Sequence, residues 1–400
     1  MGNNLPLSAD TDVNALARQI GAAAASHAAR HDREASFVTE GYAAIRETGF
    51  GTVAVPAELG GGGQDLTSVC QAQSVLARYC SNTSLAISMH QHNVLTLAWR
   101  WRLGDEAVEP VLRRVVTEGL ILSSSGAADP ANPGVTAVPA DGGLLVSGRK
   151  RFCSGVPGAD AVVTMARVDD GGQQWTSTVL IPMPSKGAEI IPDWDALGMR
   201  GSGSNPVSFT RVFVPAANII DFAPLSSLRE HAQAHGEPLP QPGHRLPGLQ
   251  IALAVIASVY LGAAGAMRDR ALRLAATSTG TNTGTPDPSQ QRLAGLMTQE
   301  FRTARWALDA YLAETTDDSI GSEPLFITAM LAKRHIVLAS IRVVELAMEL
   351  LGSRSYLRAL PFEQALRDVR AGITHPLPPE RTLLEVGRSV LGHFAEQPDP

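Results

Sequence analysis

The sequence predicts a mainly α-helical protein with a small β domain at its centre. Apolar residues recur at helical spacing in the first and last parts of the chain, whereas short alternating runs bounded by Gly, Pro, Asn and Asp occupy the middle. The length of 400 residues, at about 100 to 200 residues per domain, indicates two or three domains. We therefore expect a helical domain, an antiparallel β domain and a C-terminal four-helix bundle, in that order.

The composition excludes several classes of protein. Hydrophobic residues make up 44% of the chain and charged residues 18%, which suffices for buried cores and is far from the disordered regime. With 33 Lys and Arg against 39 Asp and Glu, the net charge of −6 offers no basic surface for a nucleic acid or an anionic membrane. A small-molecule substrate is the expected partner.

The three cysteines, Cys70, Cys80 and Cys153, predict neither a disulfide framework nor a metal site. No CxxC pair or Cys/His cluster accompanies them, so four-ligand zinc binding is not expected. The first residues lack the basic start and the apolar core of a signal peptide. These features predict a cytoplasmic protein without a bound metal.

The N-terminal domain, residues 1–117, is predicted to be all-helical. The stretch 49–63, GFGTVAVPAELGGGG, interrupts it as a turn-rich crossing with one short extended piece. Apolar spacing predicts the flanking helices, which cover 13–31, a segment starting at 36, 66–79 and 84–101.

The β domain is predicted over residues 118–222, and a polar, Pro-rich loop over 223–248 follows it. The C-terminal bundle is predicted over 249–400, where helical spacing resumes. Its most apolar run, 251–267, contains Ser258, Tyr260 and two glycines. This run therefore predicts a buried bundle helix rather than a membrane span.

Four strings give the chain a resemblance to the acyl-CoA dehydrogenase superfamily across nearly its whole length. They are GFGTVAVPAELGGGG, SGRKRFCSG, WDALGMRGSGSNPVSF and ELLGSRSYLRALPFEQALRDVRAG, and they occur in the order and at the spacing of the family. The resemblance implies one flavin per subunit, normally FAD, with its ring between the β domain and the bundle. It also implies a homodimer or homotetramer.

Two short segments are candidates for contacts with the flavin ring. Ser123, Ser124 and Ser125 end a strand, and their hydroxyl and backbone N–H groups suit the polar edge of the ring. The other segment matches the family's ring-flanking strand and consists of Phe152, Cys153 and Ser154. The alternative is that the serines form an ordinary strand end and that Phe152 belongs to the β-domain core.

Further residues are assigned by the resemblance. Trp194 and Arg200 belong to the W..LG.RGS pattern beside the substrate entrance, although Arg200 could equally be a salt-bridged surface arginine. His244 in the polar loop is a third candidate for substrate contact. Glu349 and Gly352 match a segment that approaches a neighbouring subunit's cofactor, with a helix C-cap as the alternative for Gly352.

The usual catalytic base of the family is missing. Counted from Arg367 and Asp368, the position of the family's glutamate holds Pro376, and the alternative position falls near Ala252. Neither residue accepts a proton. The nearest titratable candidates are His375 and Glu380, of which His375 is preferred because an imidazole exchanges protons near neutrality.

The departure from the family pattern resembles the flavin monooxygenase branch of the superfamily, which includes dibenzothiophene hydroxylases. That branch uses two histidines and a serine, for which His90 or His92, Ser154 and His375 are the candidates here. A plain polar helix face is the alternative for His90 and His92. The end of the first bundle helix also reads AATSTGTNTGTP, without the family's arginine for the FAD pyrophosphate. Weak FAD binding, FMN or a diffusible reduced flavin is therefore expected.

Three hypotheses of function follow from the sequence. The leading one is a flavin-dependent oxidoreductase that oxidises an acyl thioester on CoA or a carrier protein, with His375 or Glu380 as the base. The second is a two-component monooxygenase, which uses oxygen and reduced flavin from a separate reductase. The third is a non-catalytic scaffold protein that has lost its base.

Overall fold

The computed structural model describes residues 7–125, 134–170, 172–224, 245–277 and 287–395. The N-terminal part is helical, as the sequence predicts. Its helices are α1 (Val13–Glu34), α2 (Thr39–Thr48), α3 (Leu66–Ala77), α4 (Ser81–Arg102) and α5 (Glu109–Thr117).

Side-chain caps and glycines fix the ends of these helices. The carboxylate of Asp12 accepts a hydrogen bond from a backbone N–H in the first turn of α1, and Asp65 does the same for α3. Gly49 ends α2 in the left-handed conformation that glycine adopts without strain. The crossing 49–63 contains two short 3-10 turns and no strand, so the extended piece expected there does not form.

The middle of the chain forms one eight-stranded sheet. Its strands are β1 (Leu122–Ser124), β2 (Val135–Ala140), β3 (Gly143–Lys150), β4 (Ala161–Asp170), β5 (Gln173–Pro182), β6 (Ala188–Ile190), β7 (Val207–Pro215) and β8 (Ile219–Pro224). They lie in the order β6-β7-β3-β2-β4-β5-β8, with β1 paired to β4. The sheet is predominantly antiparallel, as predicted, but β1 and β2 pair with β4 in parallel.

The C-terminal part is a helical bundle of α6 (Arg245–Thr277), α7 (Pro288–Glu314), α8 (Glu323–Leu351), α9 (Phe362–Arg370) and α10 (Pro379–Ala395). Helix α6 is apolar enough to cross a membrane, but 83% of its most apolar window is buried inside the fold. It is therefore the core helix of the bundle. Of the predicted loop 223–248, the first two residues belong to β8 and the last four to α6, and His244 lies outside the described residues.

Asp368 of α9 joins the three parts of the chain. Its Oδ1 atom accepts a hydrogen bond of 2.6 Å from the backbone N–H of Met199, in the β-domain segment that follows β6. Its Oδ2 atom accepts hydrogen bonds from Ser81 Oγ (2.8 Å) and Asn82 Nδ2 (3.0 Å) at the start of α4. Because the carboxylate is 1% exposed, these contacts fix how the bundle, the sheet and the N-terminal helices meet.

Candidate active site

The end of β1 forms the polar wall of the candidate site. Ser124 bridges Ser154 across the sheet, and the Ser123 hydroxyl donates to the carbonyl oxygen of Ser154 (3.0 Å). The Ser125 hydroxyl is buried and has no hydrogen-bond partner among the residues that the structure describes. Since buried hydroxyls normally have partners, this oxygen is available to a bound polar group.

His92 on α4 faces the hydroxyl of Ser124. The carbonyl oxygen of Ser88 lies 3.0 Å from His92 Nδ1 and can only accept, so Nδ1 carries the proton. The unprotonated Nε2 atom then lies 3.5 Å from Ser124 Oγ. Burial lowers the pKa of His92 to about 4, so the ring is neutral at pH 7 and Nε2 is an acceptor.

His90 has a backbone partner at each ring nitrogen, which favours a structural role over a catalytic one. Its ring is 0% exposed, so it does not lie on a polar helix face either. Nε2 donates to the carbonyl oxygen of Gly51 (2.6 Å), and Nδ1 accepts from the backbone N–H of Leu122 (3.0 Å). With both nitrogens occupied by backbone groups, His90 fixes α4 against the turn-rich crossing and the start of β1.

Phe152 presents an aromatic face two residues before Ser154, which pairs with the end of β1. Its side chain is 67% exposed, so it does not belong to the β-domain core, and its φ of 59° lies in the left-handed region that a bulky residue rarely adopts. Trp194 packs edge-to-face against it, with ring centroids 6.1 Å apart. Exposed aromatic rings and local strain together are typical of a ligand site.

The two residues that follow Phe152, Cys153 and Ser154, both have buried side chains. The Cys153 side chain is 0% exposed in the core of the β domain, so only its backbone could contact a cofactor. Ser154 is also buried, and its hydroxyl lies 2.8 Å from the hydroxyl of Ser204, which is 2.7 Å from that of Ser202. Ser154 therefore belongs to a chain of hydroxyls behind the site.

His375 lies on the bundle side, where its Nδ1 atom is 3.0 Å from the hydroxyl of Tyr260 on α6. Burial, with the charge of Lys333, lowers the pKa of His375 to about 4. Tyr260 and Ile256 pack in the same apolar cluster as Met89, which lies one turn before His92 on α4. One buried apolar cluster therefore contains both the hydrogen-bond partner of His375 and the residue one turn before His92.

The structure separates Glu380 from His375. Glu380 is exposed in the first turn of α10. Throughout the described parts of the chain, no carboxylate contributes to the pKa of His92 or His375. Ala252, near which the family's second base position is predicted to fall, is an apolar side chain that is 8% exposed. That histidines take the place of the family's acid remains a prediction.

Trp194 and Arg200, the two described candidates for substrate contact, both have hydrogen-bond partners within the protein. The indole N–H of Trp194 donates to the carbonyl oxygen of Met199 (3.1 Å), which leaves its ring for packing. Arg200 donates to the carbonyl oxygen of Asp32 (2.7 Å) and pairs with Asp195 (3.0 Å). These internal partners favour the alternative prediction for Arg200, a salt-bridged arginine, over substrate binding.

Glu349 and Gly352 lie at the exposed end of α8. The N–H of Gly352 bonds to carbonyl oxygens of the last helical turn, and its φ is 61°. This is the helix C-cap of the alternative prediction. Any contact with a neighbouring subunit's cofactor remains a prediction.

Sequence reasoning missed an arginine-lined concavity of about 260 Å³. It is lined by Arg78, Tyr79, Ala266, Met267, Arg270 and Arg273. Arg270 and Arg273, three apart on α6, were visible as a pair, but Arg78 comes from the distant connection between α3 and α4. Planar guanidinium groups suit a phosphate, but the Arg78 guanidinium is already paired with Asp269.

Three family models match the chain. The N-terminal, middle and C-terminal domains of acyl-CoA dehydrogenases match residues 11–109, 123–212 and 254–377. In the part of the chain that the structure describes, no group of three His, Cys, Asp or Glu residues could hold a metal ion.

The relatives carry the names of an acyl-CoA dehydrogenase and of a nitrososynthase. YdbM of Bacillus subtilis (strain 168), whose name assigns it provisionally to the acyl-CoA dehydrogenases, is 28% identical over 87% of this chain and 88% of its own. L-evernosamine nitrososynthase of a Micromonospora species is 29% identical over 87% and 82%. KijD3, in complex with FMN and dTDP-3-amino-2,3,6-trideoxy-4-keto-3-methyl-D-glucose, superposes with a TM-score of 0.83 at 27% identity, covering 96% of this chain and 95% of that one.

Proposed function

The chain belongs to the acyl-CoA dehydrogenase superfamily, and from this membership we propose that it is a two-component flavin monooxygenase. A separate reductase would supply the reduced flavin. One observation carries the proposal: a neutral His92 lies beside Ser124, a neutral His375 lies beside Tyr260, and no carboxylate of the described chain acts on either ring. This arrangement favours chemistry that needs hydrogen bonds to neutral imidazoles rather than a strong base.

The residues fit a flavin ring. The buried Ser125 hydroxyl, without a partner in the described chain, suits the polar edge, and exposed Phe152 suits the aromatic face. A bound reduced flavin supplies the electrons with which oxygen is activated. FMN is the form bound in the similar structure of KijD3, and a flavin without a pyrophosphate needs no arginine at the end of α6.

The side chains around the ring would hold protons and exclude water. Because Nδ1 of His92 is tied to Ser88, its Nε2 atom can accept from the Ser124 hydroxyl or from a protonated oxygen group in the site. Met89, one turn before His92, belongs to a buried apolar cluster with Ile256 and Tyr260. A dry site of this kind protects reactive oxygen groups from water.

Acyl thioester oxidation is less well supported than oxygenation. It needs a base that removes a proton from carbon, and a base is most effective when its pKa is near the working pH. The pKa of His375 is about 4, and Glu380 is exposed in the first turn of α10. Neither residue meets the requirement of dehydrogenation.

An amine is the substrate class that the site favours. An amine reacts with oxygen through its nitrogen lone pair, which is lost on protonation. A carboxylate in the site would stabilise the ammonium form of the amine. Among the described residues, no carboxylate acts on the pKa of His92 or His375. The similarity to a nitrososynthase, and to KijD3 bound to an amino sugar nucleotide, supports this choice.

The experiment separates the three hypotheses. The protein is mixed with chemically reduced FMN, an amine panel and ¹⁸O₂, and the expected result is a product that carries ¹⁸O by mass spectrometry. In the second arm, oxidised flavin and acyl-CoA are mixed without oxygen, and no bleaching is expected. Bleaching would instead establish dehydrogenation, and a failure to bind any flavin would support the scaffold hypothesis.

We also propose a homo-oligomer in the cytoplasm. Large apolar side chains are exposed on the outer faces of the bundle, namely Trp306 (62%), Leu331 (40%), Leu384 (70%) and Leu391 (73%). Such a surface is typical of a covered interface. The three cysteines are free and buried, which suits a reducing compartment.

A further inference from the structure

Lys333 on α8 is a buried lysine whose three donors all point into one loop. Its side chain is 1% exposed. Nζ donates to the carbonyl oxygens of Gly372 (3.0 Å), His375 (2.9 Å) and Leu377 (3.0 Å). These three acceptors satisfy the whole donor capacity of an ammonium group.

The ammonium group has no carboxylate to neutralise it. Burial alone accounts for a pKa of Lys333 near 8, with no acidic group of the described chain acting on it. A buried charge that is paired only with carbonyl dipoles is costly, and methionine would fill the same space without that cost. Filling of space in the core therefore does not explain why this residue is a lysine.

The three carbonyl groups bracket the site histidine. One precedes His375 by three residues, one is its own, and one follows by two residues. The loop is also packed tightly on α8, because a Cβ atom on Gly372 would lie 2.8 Å from Val337. Lys333 thus fixes the backbone on both sides of the imidazole, whose Nδ1 atom meets the Tyr260 hydroxyl.

We propose that Lys333 is a positioning residue, which holds the His375 imidazole against Tyr260 by clamping the loop 372–377. The inference rests on the proposed function, in which His375 lines the reacting site. The ammonium charge has a second effect: it lowers the pKa of the neighbouring His375 imidazole and so keeps the ring neutral. The titratable groups around His375 are Tyr260 from α6 and Lys333 from α8, and Asp368 acts on the pKa of Tyr260 from α9.

The test uses Lys333→Met, which removes the charge and all three donors at similar volume. Histidines labelled with ¹³C at Cε1 are titrated by NMR in the flavin-free protein, and the His375 signal is assigned with His375→Gln. We expect the pKa of His375 to rise by about one unit in Lys333→Met. Turnover with reduced FMN should fall by about 10- to 100-fold at unchanged FMN affinity.

Controls separate a positioning role from a general loss of structure. Lys186→Met changes an exposed lysine of the β domain and should leave both readouts unchanged. Lys333→Arg keeps the charge and the donors and should keep the wild-type pKa of His375. If Lys333→Met does not fold, Lys333→Gln also removes the charge, and the same rise is expected.

An unchanged ¹³C shift of His375 in folded Lys333→Met, at a pH where the ring is neutral in both proteins, would overturn the proposal, because the imidazole would then keep its surroundings without the three donors. The NMR readout does not depend on turnover, so a failure of the proposed function can be told apart from a failure of this inference. If the proposed function is wrong, the wild-type protein gives no oxygenated product, but NMR of His375 still shows the effect of Lys333.

Discussion

The Nε2 atom of His92 lies 3.5 Å from the hydroxyl oxygen of Ser124, and the opposite ring nitrogen is fixed by the carbonyl oxygen of Ser88. A helix of the N-terminal domain and the first strand of the sheet therefore place a neutral acceptor beside a hydroxyl. The tautomer of His92 follows from one backbone contact, because a carbonyl oxygen can only accept. This relationship underlies the first prediction.

His92→Ala should lower product formation by about 10²- to 10⁴-fold, the range that a positioned proton-transfer group contributes. FMN affinity and the melting temperature should change little, because the ring makes one backbone contact and one long contact with a hydroxyl. Product per reduced FMN consumed is measured by mass spectrometry. His335→Ala, which loses a contact with Thr303 on another helix, is the matched control. Full activity in His92→Ala would remove His92 from the mechanism.

His90→Leu should destabilise the fold by about 2 to 6 kcal/mol, because it leaves the buried carbonyl oxygen of Gly51 and the N–H of Leu122 without partners. Chemical denaturation measures the loss. His335→Leu breaks one side-chain contact and should cost about 1 kcal/mol. Equal losses in the two variants would contradict the structural role of His90.

The same histidine should make stability pH-dependent. Burial lowers the pKa of His90 from 6.5 to about 4, so the unfolded chain binds a proton more readily than the folded one between these values. The stabilisation by neutral His90 is complete above pH 6.5 and declines as the pH falls towards 4, by on the order of 3 kcal/mol. Denaturation at several pH values should show this decline in the wild type and a smaller one in His90→Leu.

Phe152→Ala should weaken FMN binding by about 2- to 10-fold, since an aromatic contact contributes about 0.5 to 1.5 kcal/mol. Stability should be almost unchanged because the ring is 67% exposed. Quenching of FMN fluorescence gives the affinity. Phe213→Ala removes another exposed ring of the same sheet, 46% exposed on β7, and should bind FMN normally. Equal affinities in both variants would place the flavin elsewhere.

Asp368→Asn should destabilise the protein by about 2 to 4 kcal/mol, because an amide N–H₂ group would replace an oxygen that accepts from neighbouring donors. Thermal unfolding followed by circular dichroism is the measurement. Asp309→Asn changes an exposed carboxylate paired with Arg305 and should have almost no effect. A tolerated Asp368→Asn would mean that other contacts hold the three parts together.

Much of the fold was predictable because it depends on local patterns. The apolar spacing of 251–267 predicted a buried bundle helix, and α6 is such a helix. Alternating runs predicted the strands, but parallel pairing of β1 with β4 joins segments 39 residues apart and leaves no local signal. The prediction that Pro376 stands at the position of the family's glutamate also comes from the sequence, since it depends only on the count from Arg367 and Asp368.

The sequence by itself determined the helix–sheet–helix order and the family, because periodicity and motifs are properties of neighbouring residues. The tertiary structure decided between His90 and His92, two residues apart on one helix. A helix turns about 100° per residue, so one ring points into the core and the other towards Ser124. It also decided the partners of His375, because Tyr260 and Lys333 come from helices that only packing brings together.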